Sequence, residues 1–236
     1  MRTLLVSDIH GGFRALEQVF ERAKFDPSKD QLICLGDVCD GWRETVECIR
    51  LLKSIPNLVY LMGNHDSWTL DWLQGRWDGI GQFDPGFSCW TSQGGQATIN
   101  SIEKHKSKQE VLDFLENAEY FYQQNNKLFV HAGIYLNTKV ENNDENTLIW
   151  DRDLVRFAKA NAISVGWEPV VPYDEIFVGH TPTVAYGKTV PQNYCNLWMI
   201  DTGASYDGPL TVIDADTKEF WQSDPVVDLY PGEKAR

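Results

Sequence analysis

Five short polar clusters hold the side chains with most chemical capacity: Asp8-Ile9-His10, Gly36-Asp37-Val38-Cys39-Asp40, Gly63-Asn64-His65-Asp66, His131-Ala132-Gly133 and Gly179-His180-Thr181. Asp8, His10, Asp37, Asn64, His131 and His180 offer three imidazoles, two carboxylates and one amide oxygen. The set contains no thiolate, which argues against a structural zinc site. Mixed nitrogen and oxygen donors suit two divalent ions such as manganese, iron or zinc. A carboxylate has two oxygens and can bridge two cations, and Asp37 is the natural bridge. Asp8 and His10 then belong to one ion, and Asn64, His131 and His180 to the other. Such a pair lowers the pKa of a shared water and clamps the attacking and leaving oxygens of an in-line displacement. A proton donor for the leaving oxygen is still required. His65, next to Asn64 and not needed as a ligand, is the candidate general acid, with Asp40 holding its ring.

Each cluster follows an apolar run that reads as a strand: Leu4–Val6, Leu32–Leu35, Leu58–Leu61, Leu128–Val130 and Ile176–Val178. Ligands of open α/β sheets bind beyond the carboxyl ends of the strands. Between the first runs, Phe13, Leu16, Val19, Phe20 and Ala23 recur at helical spacing, and a second helix is predicted from about Arg43 to Lys53. Alternating strands and helices imply parallel βαβ units with their strand ends at one edge. Residues 67–126 break the rhythm and read as an inserted helical cap with Trp68, Trp72, Trp77, Phe83, Phe87 and Trp90, a glycine-rich segment around Gly75–Gly86 and a helix near Lys108–Glu119. A charged, Asn-rich loop (Glu141–Asn146) comes next. From Glu175 strands dominate: Ile176–Val178, Leu197–Ile200, Leu210–Ile213 and Glu219–Gln222, the last two joined by a hairpin turn at Asp214–Lys218. The tail after Pro225 reads as a loose extension.

Taken singly, these signals are weak. A strand-to-helix turn can carry Asp and His for capping, and a lone His131 or His180 is more often a satisfied core residue. Four of the chain's five histidines nevertheless fall in these clusters, each after a strand. His105, in Lys104-His105-Lys106, reads as a solvated side chain.

The 236 residues suffice for one domain. No apolar run approaches the ~18–20 residues of a membrane span, and the opening Met1–Ser7 is too short for a signal-peptide core and reads as the first strand. Five cysteines without metal-ligand spacing suit buried thiols in a reducing cytoplasm. Cys39, inside the second cluster, is read as packed rather than redox-active. The net charge of −13 argues against nucleic acid. It does not disfavour a phosphorylated substrate, since two bound cations would dominate the local field.

The ordered motifs D-x-H, G-D-x-x-D, G-N-H-D, H and G-H resemble the metallophosphoesterase superfamily. The finer resemblance is to the PPP-type serine/threonine protein phosphatases, in their bacterial and phage branch. It extends to Trp90…Gly94-Gly95-Gln96-Ala97-Thr98, Val130-His131-Ala132-Gly133, Trp150-Asp151-Arg152, Gly179-His180-Thr181-Pro182 and Asp201-Thr202-Gly203. It implies a calcineurin-like α/β fold, a β-sandwich flanked by helices with the dimetal site at one edge. It also implies a hydroxide bridging two ions, most often manganese, that attacks phosphorus. By the same resemblance the six donors above are metal ligands, His65 is the general acid paired with Asp40, and Arg152 and Asn64 face the substrate phosphate. An arginine suits that place because its planar fork pairs bidentately with phosphate oxygens.

One departure stands out. The family's second motif usually continues G-D-x-x-D-R-G, whereas here Asp40 is followed by Gly41-Trp42-Arg43. Arg43 either reaches into the site from a reshaped loop or sits exposed at a helix start. The expected substrate is a phosphorylated protein or a small phosphoester. The alternative is a dinucleoside polyphosphate, because symmetrical diadenosine tetraphosphatases share these motifs and Trp68, Trp72 or Trp77 could stack on adenine. Six aromatics in so short a segment favour a core of their own.

Overall fold

The computed structural model describes residues 1–76, 85–163 and 168–235. The first part runs β1 (Thr3–Val6), α1 (Phe13–Arg22), β2 (Gln31–Cys34), α2 (Thr45–Lys53), β3 (Leu58–Tyr60) and α3 (Asn64–Leu73). Next come α4 (Pro85–Trp90), α5 (Gln96–His105), α6 (Lys108–Glu116), β4 (Phe121–Gln124) and β5 (Lys127–Val130). The remainder is α7 (Glu145–Trp150), α8 (Asp153–Asn161), β6 (Glu175–Val178), β7 (Gln192–Tyr194), β8 (Leu197–Met199), β9 (Pro209–Asp214), β10 (Phe220–Pro225) and α9 (Val226–Leu229). No helix among the described residues is long and apolar enough to cross a membrane.

Among the described residues two five-stranded mixed sheets form, in the orders β10-β9-β1-β2-β3 and β4-β5-β6-β8-β7. Within them β1, β2 and β3 are parallel, as are β5, β6 and β8. Side chains alternate across a strand, and here both faces are buried, which explains the unbroken apolar runs. Leu5, Ile33, Leu35, Ile213, Phe129 and Phe177 share one apolar cluster drawn from both sheets, and the Phe129 and Phe177 rings stack at 5.4 Å. Their neighbours Leu4, Val6, Leu32 and Cys34 point the other way, into a layer built with α1, α2, α5 and α6. Leu128, Val130, Ile176 and Val178 pack with α7 and α8. Burying each such Leu, Ile or Phe contributes about 1.5–3 kcal/mol. These layers fix the two sets of strand ends relative to each other.

Several expectations are corrected. The stretch 67–126 is not helical throughout, because β4 pairs with β5. Their two-residue turn, Asn125-Asn126, has φ of 51° and 58°, the positive pair a type I′ hairpin needs. β7 escapes notice because Gln-Asn-Tyr carries no apolar alternation. The Asn-rich loop turns helical at Glu145, where the Asp144 side chain accepts the Thr147 N–H at 2.8 Å and caps α7. α2 starts at Thr45, not Arg43. The tail after Pro225 is anchored: the buried Tyr230 ring stacks on Trp42 at 4.9 Å, its hydroxyl donates to Glu44, and Arg14 lies 4.7 Å over its face. Trp77 and Phe83 lie outside the described residues.

Candidate active site

All five clusters occur where strands β1, β2, β3, β5 and β6 end, and the two sheets bring them together. The His180 N–H donates to both Asp8 carboxylate oxygens, at 3.2 and 3.1 Å, which ties the end of β6 to the end of β1. This approach depends on Gly179, since a Cβ there would collide with the Ser7 hydroxyl and the Asp8 carboxylate. Asp8, His10, Asp37, Asp40 and His180 all have φ between 49° and 66°. Non-glycine residues adopt that region at a cost, and it concentrates at functional sites.

Hydrogen bonds set the direction of each donor. His10 Nδ1 lies 3.0 Å from the Cys39 carbonyl and 2.9 Å from that of Asp40. A carbonyl only accepts, so Nδ1 carries the proton and Nε2 presents its lone pair. That Nε2 stands 3.8 Å from Asp8 Oδ1 and 3.7 Å from Asp37 Oδ2. By the same logic His131 Nδ1 donates to the Leu35 carbonyl at 2.7 Å. His131 Nε2 then faces Asn64 Oδ1 at 3.1 Å and Asp37 Oδ2 at 3.5 Å. His180 Nδ1 lies 2.8 Å from the same Asn64 oxygen. Asp37 Oδ2 thus sits between His10 and His131, while its Oδ1 accepts the His65 N–H at 2.9 Å.

This donor set fits a pair of divalent cations. The Nε2 lone pairs of His10 and His131 and the oxygens of Asp8, Asp37 and Asn64 converge on one another, an arrangement that a positive ion between them makes favourable. His180 accepts from Arg152 at Nε2 and so carries its proton on Nδ1, and it would ligate an ion through Nδ1 in its other tautomer. Two atoms sharing an ion at bond lengths of about 2.1 Å stand at most ~4.2 Å apart, and the separations above all fall inside that limit. Asp8, His10 and Asp37 form a buried group able to hold a metal ion. Burial raises the Asp8 carboxyl above the ordinary range and the Asp37 charge adds to it, against a lowering by His131. Burial, His131 and Arg152 push the His180 imidazole far down, so it stays neutral.

His65 and Asp40 stand beside these donors. His65 Nδ1 meets Asp40 Oδ2 at 2.8 Å, with Asp40 fully buried. Arg152, at the start of α8, donates from Nε to His180 Nε2 at 3.1 Å. Asp8, Asp37, Asn64, His65, Arg152 and His180 line one cleft of about 90 Å³. Arg43 is not among the residues lining it. Its guanidinium pairs with Glu233 of the tail at 2.7 Å and is half exposed, because the Trp42 ring occupies the interior next to it.

Sequence reasoning assigned no task to several residues that the structure makes prominent. Asp66 accepts from the backbone N–H groups of Asp37, Val38, Cys39 and Gly63 and from the Tyr60 hydroxyl, and so shapes the second motif's loop. Trp90 and Thr98 bond to Asp40. Gln93, Asp201, Ser205 and Tyr206 also line the cleft. Only position within or next to a motif pointed to Asp66, Trp90, Thr98 and Asp201. Cys39 is fully buried, and burial with the nearby Asp66 and Asp40 charges holds its thiol well above its usual range. His105 is not simply solvated, since its Nε2 lies 2.8 Å from Glu47 Oε1.

Two mixed sheets enclosed by helices, with a divalent-ion donor set at their joined ends and an imidazole–carboxylate pair beside it, define a metallophosphoesterase. The calcineurin-like phosphoesterase family model matches residues 1–228, and the chain belongs to that family. Over 218 residues it is 26% identical to serine/threonine-protein phosphatase 1 of Salmonella typhimurium, covering 88% of this chain and 89% of the relative. It is 28% identical over 135 residues to the symmetrical bis(5'-nucleosyl)-tetraphosphatase of Dechloromonas aromatica. That match covers 57% of this chain and 44% of the relative, so the chain aligns with less than half of the tetraphosphatase. The solved metallophosphoesterase from Sphaerobacter thermophilus shares the fold, with a TM-score of 0.61 and 18% identity over 95% of this chain and 89% of that one.

Proposed function

We propose that this chain is a cytoplasmic, metal-dependent phosphomonoesterase that removes phosphate from phosphoserine, phosphothreonine or phosphotyrosine in proteins. The observation carrying this reading is the shared cleft, in which His65 and Arg152 face the same small polar space as the metal donors. Asp8 and His10 would hold one ion and Asn64, His131 and His180 the other, with Asp37 reaching both; manganese, iron and zinc all suit these donors. Bound ions would supply a water of lowered pKa and neutralise charge on the phosphoryl oxygens. Arg152 binds phosphate oxygens with its guanidinium fork. Asp40 keeps Nδ1 of His65 protonated, which directs Nε2 to deliver a proton to the leaving oxygen. The five cysteines are all free, which supports a reducing compartment.

The cleft has room for a phosphoryl group, and the rest of a substrate must lie outside it. An adjoining groove of about 370 Å³, lined by Tyr135, Asn146, Thr147, Trp150, Arg152 and Arg156 among others, can take an extended peptide. The same aromatics and second arginine support the other reading, dinucleoside polyphosphate hydrolysis, to which the tetraphosphatase relative also points. Of the cap tryptophans, Trp72 packs on Trp90, whereas half-buried Trp68 meets His65 and Trp150 edge-on at 5.0 Å each. Hydrolysis of a phosphopeptide beside diadenosine tetraphosphate, with manganese and an EDTA control, separates the two. Faster metal-dependent release from the phosphopeptide is expected; preference for the dinucleotide would transfer the assignment to the second reading.

A further inference from the structure

Asp40 is held from both sides. Its Oδ2, which meets His65 Nδ1, also accepts the Trp90 indole N–H at 2.7 Å. Its Oδ1 accepts the Thr98 hydroxyl at 2.9 Å, and Thr98 Oγ1 in turn accepts the Asp40 N–H at 2.7 Å. Asp40, Trp90 and Thr98 are each 0% exposed. With water excluded, donors to a carboxylate strengthen and fix its plane. An indole N–H can only donate, so Trp90 fixes Asp40 Oδ2 as an acceptor and leaves the carboxylate oriented toward His65.

The surrounding chain is shaped for this contact. Non-helical dihedrals at Gln93 and Gly94 kink the helix, and the Gly94 carbonyl accepts the Gly41 N–H at 3.2 Å. Gly94 has φ of 101°, and a Cβ at Gly95 would strike the Trp90 ring. Phe87 and Trp72 pack against that ring, with centroids 5.7 and 5.6 Å away. A tryptophan needed only for volume would not require its N–H to meet a buried carboxylate, nor a threonine to bond both the side chain and the backbone of the same aspartate.

We infer that Trp90 and Thr98 are positioning residues for proton delivery. Residues 90–98 lock Asp40, and through it they hold the His65 ring in the pose from which Nε2 reaches the leaving oxygen. This rests on His65 acting as the general acid. The test is the ratio of kcat on p-nitrophenyl phosphate, whose leaving group needs little protonation, to kcat on an alkyl phosphate. The manganese-loaded variants Trp90→Phe, Thr98→Val, Thr98→Ser and His65→Asn are compared, with metal content and thermal unfolding measured in parallel.

Trp90→Phe and Thr98→Val should each raise this ratio about tenfold, within the ~10–100-fold range of orienting partners, with KM nearly constant. Thr98→Ser restores the hydroxyl and should return the ratio toward that of the parent. His65→Asn should raise it further. If His65→Asn raises the ratio while Trp90→Phe and Thr98→Val slow both substrates equally or neither, the positioning role is overturned and the general acid stands. If His65→Asn slows both substrates equally, the general-acid reading fails and the positioning role falls with it.

Discussion

The two halves of the site differ in backbone and carry opposite electrostatic burdens, since of His131, His180 and Asn64 only His180 has positive φ. The half at the end of the β1–β2 pair contributes Asp8, His10 and Asp37, all with positive φ and all buried. It gathers two carboxylates around one imidazole, and burial together with the neighbouring charge raises the Asp8 carboxyl. The half at the ends of β5 and β6 contributes His131 and His180, joined by Asn64 from α3, and carries no carboxylate of its own. There, burial and the adjacent imidazole and guanidinium drive His180 to stay neutral. One half lacks positive charge, whereas the other resists it. On the proposed reading, two chemically similar ions in these halves would be held unequally, the first more tightly, with Asp37 placed between them.

The largest expected effect comes from removing that shared group. Asp37→Asn should weaken both ions and lower turnover by about a thousandfold or more, since the bridge serves both functions of a two-metal site. Near-parent rates, with two ions still bound by metal analysis, would remove Asp37 from the centre.

A smaller effect isolates the second half. His180→Ala should lose one ion per chain and leave the other bound. The same residue gives the comparison a pH signature in the metal-free chain. Because the native state holds His180 below its ordinary pKa of about 6.5, the unfolded chain binds a proton that the native chain refuses. Its stabilising contribution is therefore present above pH ~6.5 and is lost as pH falls below it. Asp8 has the opposite sign: its raised carboxyl favours the native chain below pH ~4, and that benefit is lost as pH rises through the raised value. Thermal unfolding from pH 8 to 5 should show an acid-side loss that His180→Asn reduces. An unchanged acid limb would contradict the assignment of His180 as a neutral, buried donor.

The smallest effect is expected at Arg43. Its pair with Glu233 is exposed, and such pairs contribute well under about 1 kcal/mol. Arg43→Ala should change kcat less than threefold, whereas Arg152→Ala should raise KM or lower kcat by an order of magnitude or more. A large loss at Arg43 would mean that it moves into the cleft with substrate.

That Asp8, His10, Asp37, Asn64, His65, His131 and His180 come together was legible because each cluster follows an apolar run that must end at the sheet edge, so order along the chain reported proximity in space. The supports were not. Trp90 meets an aspartate fifty residues earlier, and Tyr230 meets Trp42 across most of the chain; neither pairing has a local pattern. The sequence also left the fate of Arg43 open, because a shift of two positions decides it only after Trp42 is seen to fill the interior. β4 hid for a similar reason. Its Phe-Tyr-Gln-Gln run is partly exposed, and its identity depends on pairing with β5 through the Asn125-Asn126 turn.

The measurement closest to the centre of this comparison is a calorimetric manganese titration of the EDTA-stripped chain, with p-nitrophenyl phosphate turnover followed at each addition. Two ions per chain are expected, the first bound at least about tenfold more tightly, with turnover rising only as the second is taken up. Full turnover at one equivalent, or activity with no ion bound, would contradict it.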